Sequence, residues 1–371
     1  MRVLHIYRTY FPDTQGGLEE AIRQICINST KHDVENRILT LSAHAKPRVI
    51  KRQEADVYRF YRIFEVASCG VSVSALTGFR RLAEWADIIH YHFPWPFADF
   101  LHFISQVKKP SLVTYHSDVI RQQGLLKLYR PLMKAFLNSV NVIVPTTNKY
   151  AQTSPVLEGY KRKIDVIPIG IDKSLYPKVS KESCNAWFER LGDGFFLFVG
   201  VLRYYKGLSF LLQAIKNTDI KVVIAGSGPE EKLLHELADK LGLDNVEFLG
   251  FVTDEDKAAL MSLARGVVFP SHLRSEAFGV TLVEGLMYGK PLISCEIGTG
   301  TSYVNEDGVT GYAVPPADPV ALRNAMLKLA VDDDLVVRMG SAARERYERL
   351  FTGKVMGEAY FRLYNKLLAN D

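Results

Sequence analysis

Short apolar runs alternate with longer amphipathic stretches from one end of the chain to the other, and that alternation limits the fold more than any single motif does. In the first half the runs are "RVLHIY", "NRILTLS", "ADIIHYHF", "SLVTYH", "VNVIVPT" and "IDVIPIG". In the second they are "FFLFVGVL", "IKVVIAG", "VEFLGFV", "GVVFPS", "KPLISC" and "TGYAVPP". Helical patterns such as "GLEEAIRQICINST", "GPEEKLLHELADKLG" and "DPVALRNAMLKLAVD" fall between them. Continuously apolar strands joined by helices predict parallel sheets covered on both faces. Six runs in each half predict two Rossmann-like domains meeting near residues 170–190, with "IPIGIDKSLYPKVSKESCNAWFERLGDG" as a linker followed by a helix. Ligands of such sheets bind beyond the carboxyl ends of the strands, so those loops, and a cleft between the two domains, are the expected site.

The bulk numbers agree with that reading. The 371 residues, 47% apolar and 23% charged, suit two globular domains. "MRVLHIY" runs directly into a strand, so no signal peptide is expected, and the longest apolar run falls short of the roughly 18 residues a membrane span needs. Cys26, Cys69, Cys184 and Cys295 are scattered, which suits buried thiols of a reducing cytosol rather than a disulfide or zinc framework. Residues 1–170 carry 23 basic against 14 acidic side chains, net +9, whereas residues 171–371 carry 23 against 27, net −4. The first half is therefore expected to meet something anionic. Its basic residues concentrate in "KPRVIKRQEADVYRFYR" (46–62) and in "RQQGLLKLYRPLMKAFL" (121–137). The second stretch mixes apolar side chains with Arg121, Lys127, Arg130 and Lys134, which suits either an anionic membrane surface or a solvated helix face over a core. No nucleic-acid motif accompanies these charges, and no nucleic-acid partner is expected.

The strand-end loops carry the chemistry. In "YFPDTQGG", Gly16 and Gly17 lead into a helix whose free amides suit an anion, or the pair is a plain tight turn. "HYHFPWPFADF" offers Trp95 and Phe97 either to a sugar ring or to the core. "TYHSD" puts His116 at a strand tip, as a ligand or proton-handling group or as a structural histidine. "VGVLRYYKG" holds Arg203 and Lys206 in one loop, which favours a diphosphate. "VVIAGSGPEE" begins like a dinucleotide fingerprint, but Glu231 stands where the third glycine belongs and Glu230 precedes it, which excludes NAD. Gly226 would instead let the backbone approach a base or ribose. "GLMYGKP" fails as a P-loop in spacing and at Pro291. The acidic runs 254–256 and 332–334 stand where helices begin, Thr253 being a good N-cap, so they read as helix-start charge, and no metal is expected.

One stretch asks for more. "SEAFGVTLVEGLMYGK" sets Glu276 and Glu284 on either side of an apolar run. Thr281-x-x-Glu284 fits a capping box, with Gly289 and Pro291 ending the helix, but that leaves Glu276 unexplained. The alternative uses both carboxylates. Amides of Phe278, Gly279, Val280 and Thr281 at a helix start would grip a phosphate, and each carboxylate would accept sugar hydroxyls.

"SEAFGVTLVEGLMYGKPLIS" resembles the paired-glutamate signature of the retaining family 4 glycosyltransferases, enzymes of the GT-B fold. "QGGLEEA", "DIIHYHFP", "TYHSD", "VIPIGID", "VGVLRYYKGL", "VVIAGSGPEE", "FLGFV", "GTGTSYVNEDGVTGYAVPPADPVAL" and "RYERLFTGKVMGEAYFRLYNKLL" follow in the family's order over nearly the whole chain. The resemblance implies an α/β protein of two Rossmann-like domains facing a cleft. Residues 1–172, completed by a C-terminal helix over 352–371 that crosses back, would bind acceptor; residues 173–351 would bind donor. It implies that Glu276 contacts the donor sugar and Glu284 the ribose. Lys206, with amides of Gly17 and of residues 279–281, would hold the diphosphate, and His116 would approach the sugar. The base would lie against Gly250, Phe251 and Val252. Where the family has an arginine this chain has Val201, and Arg203 two residues on is the expected substitute. Configuration would be retained without a protein nucleophile, the leaving phosphate taking the acceptor proton, with no cofactor. "GTGTSYVN" and "LRYYKG" are similar to bacterial mannosyltransferases of O-antigen or exopolysaccharide synthesis. That similarity implies GDP-mannose as donor, with a UDP-hexose as the alternative, and a polyprenyl-diphosphate-linked saccharide as acceptor at the inner face of the cell membrane. A non-catalytic sugar-binding protein and a GT-B epimerase or phosphorylase are the rival readings.

Overall fold

Met1–Gly170 together with Gly353–Asp371 form one unit, and Ile171–Thr352 form a second. The structure is a computed structural model and describes residues 1–67, 69–119 and 123–369.

In the first unit β1 (Arg2–Ile6), β2 (Glu35–Ser42), β3 (Val49–Lys51) and β4 (Asp56–Tyr61) precede a hairpin of β5 (Phe64–Val66) and β6 (Cys69–Val71). β7 (Ile88–Phe93), β8 (Ser111–Tyr115) and β9 (Val142–Pro145) complete a seven-stranded sheet of order β3-β4-β2-β1-β7-β8-β9. All its pairings are parallel except that of β3 with β4. The chain therefore grows outward from β1 in one direction and restarts at β7 in the other, so the switch point lies between β1 and β7. The helices are α1 (Gly17–Thr30), α2 (Val73–Trp85), α3 (Pro96–Ile104), α4 (Gln123–Ser139) and α5 (Asn148–Thr153).

Two expectations need correction here. "IDVIPIG" is not a strand: it runs beside β9 with only the amides of Asp165 and Ile167 donating to Ile143 and Pro145, and Pro168 has no amide hydrogen to continue the ladder. Strand β4, in contrast, was hidden inside the basic stretch. Arg59 points inward from it, buried, and donates to Asp13 at 2.6 Å and to the carbonyls of His44 and Pro47. A charged residue on the inner face breaks the hydrophobic pattern, and Arg59 is also withdrawn from any external anion.

In the second unit β10 (Phe196–Val199), β11 (Val222–Ala225), β12 (Val246–Gly250), β13 (Gly266–Phe269), β14 (Leu292–Cys295) and β15 (Gly311–Val314) form an all-parallel sheet of order β12-β11-β10-β13-β14-β15. Its switch point lies between β10 and β13. The covering helices are α6 (Lys181–Leu191), α7 (Leu208–Ile215), α8 (Glu231–Leu241), α9 (Asp254–Leu263), α10 (Val280–Met287), α11 (Thr301–Val304), α12 (Pro319–Val331) and α13 (Asp333–Leu350). Thr253 caps α9 and Asp332 caps α13, each accepting from an amide three residues on, so the two acidic runs are helix starts.

The last helix, α14 (Gly353–Ala369), belongs to the first unit; residues 370 and 371 of the expected helix lie outside the described residues. Its stripe of Met356, Tyr360, Leu363, Tyr364 and Leu367 joins Val3, Ile88 and Leu112 in one buried cluster. Gly353 and Gly357 bring it against α1 so closely that a Cβ at either would strike Asn28 at 2.4 or 2.6 Å.

Candidate functional site

In the second unit the candidate ligands gather on the loops at the switch point. The loop after β10 carries Val201, Leu202 and Arg203, then a single 3-10 turn, Tyr204–Lys206. Leu202 is buried and takes a backbone bond to Ser227, while Val201 and Arg203 are both exposed. The alternation of a strand thus persists past Val199 and sets Arg203 on the side of Val201. Lys206 reaches across to the loop after β13, where its Nζ lies 2.5 Å from Glu276 Oε2, with Ser271 Oγ 3.4 Å from the same oxygen. The ammonium also sits 4.4 Å from the centre of the Phe269 ring. The Tyr205 hydroxyl beside it is pushed up to about 12 by burial first and the Glu276 charge second.

Gly279 stands against the same Phe269 ring, at φ +89°, and opens α10. A left-handed residue there is a glycine's place. The start of α10 is therefore Gly279 and not Thr281, which corrects the capping-box account. The Thr281 hydroxyl donates instead to the Val199 carbonyl, tying α10 to the end of β10. Phe278 is buried, while Val280 and Thr281 are partly exposed at the helix start. Glu284 lies one turn in and is nearly buried. Its Oε1 accepts from Lys257 Nζ at 2.9 Å and from the Tyr176 hydroxyl at 3.0 Å. Burial opposes the Lys257 charge, but Glu284 and Asp254 outweigh it and hold the ammonium above its ordinary pKa. Neither Tyr176 nor Lys257 was legible as a partner of Glu284, because each comes from a distant segment.

Gly226 has a structural task within the second unit. At φ +141° its Cβ would lie 2.0 Å from the Gly200 carbonyl oxygen, and a Cβ at Gly228 would lie 2.5 Å from that of Leu202. The close approach that these glycines permit is between the β10 and β11 loops themselves. The Gly250 carbonyl accepts from the Gly226 amide, and beyond it Phe251 is 75% exposed with Val252 half-buried.

In the first unit Gly16 and Gly17 begin α1 at the switch point, and its first turn also holds Glu19 and Glu20. Trp95 is 1% exposed and donates its indole N–H to the Gly70 carbonyl, with Phe97 packed beside it. Both are core plugs and not sugar platforms. His116 follows β8 and is buried within a group the sequence reading missed. His5 from β1, with His90 and His92 from β7, share its face of the sheet, because residues two apart on a strand point the same way and His5 pairs with His90 in register. Nitrogens of His5, His90 and His92 lie within 4.8 Å of one another. Each has a protein partner: His5 bonds Asn36 and His92, His90 bonds Tyr364 and Thr114, and His92 bonds His5 and His116. The rings of His90 and His92 stack at 4.4 Å. The group is a hydrogen-bonded stack in which both nitrogens of His5, His90 and His92 are engaged.

Two doubly wound units, each with candidate ligands at the carboxyl ends of its strands, define the GT-B class. Residues 15–175 match Glycosyltransferase Family 4, and residues 180–346 match Glycosyl transferases group 1. The chain is 53% identical over 352 residues to the D-rhamnosyltransferase WbpZ of Pseudomonas aeruginosa, covering 95% of this chain and 92% of that one. It is 45% identical to the O-antigen chain mannosyltransferase C of Escherichia coli, over 99% of both. Sucrose-phosphate synthase of Thermosynechococcus elongatus superposes with a TM-score of 0.81 at 20% identity over 100% of both chains. HepE of Anabaena, in complex with UDP and glucose, gives 0.81 at 19% over 99% of this chain and 100% of that one. The chain belongs to the family 4 glycosyltransferases.

Proposed function

We propose that the protein is a GDP-mannose-dependent mannosyltransferase of O-antigen synthesis, acting with retention of configuration on a saccharide carried by a polyprenyl diphosphate. The observation that carries the donor site is the Lys206–Glu276 pair beside the Gly279 start of α10, with Glu284 one turn further in. An ammonium has three N–H donors, so Lys206 keeps Glu276 in place while a second N–H meets a phosphate oxygen. The free amides at the α10 start and Arg203 supply further positive potential for the diphosphate. Glu276 accepts from a hydroxyl of the transferred sugar. Glu284, its Oε1 fixed by Lys257 and Tyr176, offers Oε2 to the ribose. The base lies along Gly250, Phe251 and Val252, and His116 and the Gly17 amide act from the first unit.

In the transfer step the bond from the anomeric carbon to the diphosphate oxygen breaks as the bond to the acceptor oxygen forms on the same face. The acceptor proton passes to the departing phosphate. Lys206, Arg203 and the helix amides stabilise the charge that collects there, and no metal or other cofactor enters the step.

The name of one relative favours a second reading of the sugar. D-rhamnose is 6-deoxymannose, so the likeness to a D-rhamnosyltransferase supports the same configuration without the 6-hydroxyl.

Membrane attachment belongs to the same proposal. Among the described residues no helix is long and apolar enough to cross a bilayer. Helix α4 buries Leu126, Met133 and Phe136 but leaves Leu125 and Leu128 exposed beside Lys127, Arg130 and Lys134, with Phe103 and Ile104 exposed on α3, which packs against it. Arg121, expected on this face, lies outside the described residues. Exposed leucines among cations suit the surface of an anionic leaflet at the cytoplasmic side.

Thermal shift with GDP, GDP-mannose, the GDP conjugate of D-rhamnose, UDP and UDP-glucose tests the donor, repeated with Glu284→Ala. Stabilisation by the guanine nucleotides alone, weakened in the variant, is expected. A uridine preference would overturn the donor. Comparing the two GDP-sugars in a transfer assay decides the 6-hydroxyl, and proton NMR of the product's anomeric centre decides retention.

A further inference from the structure

We propose that Asn36, His5 and His92 form a relay that fixes the tautomer of His116, so that Nε2 carries the proton and Nδ1 stands as an obligate acceptor. The reasoning starts at Asn36. Its Nδ2 lies 3.1 Å from the Cys26 carbonyl oxygen and 3.1 Å from both Ser29 Oγ and Thr30 Oγ1. A flipped amide would set Oδ1 against that carbonyl, so the nitrogen is the group that faces α1 and Oδ1 is the group that faces His5. Asn36 Oδ1, 3.2 Å from His5 Nε2, can only accept, and His5 Nε2 must therefore donate.

The rest follows from neutrality. All three histidines are buried and kept uncharged: burial lowers His5 to about 4 and His116 to about 3, and it holds His92 well below its ordinary value, with neighbouring histidines adding to the effect. A neutral imidazole has one donor and one acceptor. With Nε2 donating, His5 Nδ1 accepts from His92 Nε2 at 3.1 Å. His92 Nδ1 then accepts from His116 Nε2, also at 3.1 Å. The chain ends at His116 Nδ1, a buried nitrogen with no partner among the described residues. The same logic of a histidine set by its other hydrogen bond governs metal ligands and triads. His90 stands outside the relay, since both its nitrogens bond hydroxyls that can donate or accept.

The functional consequence rests on the reading of His116 as the side chain that approaches the transferred sugar. An open Nδ1 lone pair accepts a hydrogen bond from a sugar hydroxyl. The opposite tautomer would present N–H and refuse it. His5, His92 and Asn36 touch no substrate on this account; they are positioning residues.

The direct test is the tautomer itself, read from two-bond proton–nitrogen correlations of the full chain labelled with nitrogen-15 histidine, without donor. The expected spectrum has Nε2 protonated in His5, His92 and His116. A proton on His116 Nδ1 in the wild type would overturn the relay outright. Two variants at the remote end then separate hydrogen bonding from packing. His5→Phe keeps the ring volume but offers His92 no acceptor, so His116 should become a tautomer mixture. The transfer kcat should then fall at least about tenfold with donor KM changed less than about twofold, against the about 10⁴-fold that a mis-set histidine costs a hydrolytic triad. His5→Asn loses volume yet sets an amide oxygen near the former Nδ1, and should restore both the single tautomer and most of kcat. Equal impairment of both variants, or a better Phe than Asn, would reduce the stack to packing and sink the proposal. Transfer by His116→Ala is measured in parallel: full activity there would refute the sugar contact, while the wild-type tautomer spectrum would still decide the relay.

Discussion

Lys206 and Trp95 mark two different ways in which one side chain can matter. Lys206 is a donor aimed at developing charge, so Lys206→Ala should lower kcat by about 10²–10³ while the fold persists, as steady-state kinetics beside a melting curve would show. Trp95 is fully enclosed, so Trp95→Ala should cost about 3–5 kcal/mol of stability, read from urea unfolding, with donor KM unaltered in the folded fraction. The sequence left that indole open between sugar platform and core; its N–H bond to Gly70 decided the matter, and Gly70 lies on a hairpin no local pattern announced. Glu276 and Lys206 were legible separately because each has the right chemistry in a strand-end loop. Their pairing was not, since it depends on β10 and β13 being neighbours, a property of strand order. The histidines show the same limit. Residues 90 and 92 advertise a shared face by their spacing, yet only the register of β1, β7 and β8 brings His5 and His116 into the stack.

At the scale of elements, most of the sheet was visible as apolar runs, and the misses have specific causes. β4 was concealed by inward-facing Arg59, and "IDVIPIG" was overread because its apolar residues lie along an edge that Pro168 cannot extend. Glycines set the spacing of the loops and helices. Gly226→Ala would drive a methyl group into the Gly200 carbonyl at a backbone angle L-residues rarely adopt, and it should destabilise the second unit by more than about 1 kcal/mol, measurable by urea unfolding of the full chain. The outward face of α4 carries a prediction of a different kind. Replacing Leu125 and Leu128 by serine should weaken co-sedimentation with anionic vesicles and leave melting temperature nearly unchanged, because neither leucine is in the core.

For the whole molecule, the buried histidines tie folding to pH. His5, His92 and His116 stay neutral in the native state while the unfolded chain takes up protons below about 6.5, so the unfolded state binds more protons and stability must fall as pH falls. The stabilising contribution is complete above pH 6.5 and is withdrawn between there and about 3–4, at about 1.4 kcal/mol per pH unit for each such histidine. His90, Tyr360 and Tyr364 face the same group and supply no compensating charge. The urea midpoint should be flat from pH 8 to 7 and drop steeply from 6.5 to 5; a flat profile through that range would contradict neutral burial.

Helix α14 gives the molecule an order of assembly. The second unit is one uninterrupted stretch and has everything it needs once residue 352 has cleared the ribosome. The first unit is translated earlier but lacks its lid over Val3, Ile88 and Leu112 until α14 emerges. Until then the N-terminal sheet lacks the helix that covers its apolar floor and bonds His90, so the half that is made second is the half that can finish first.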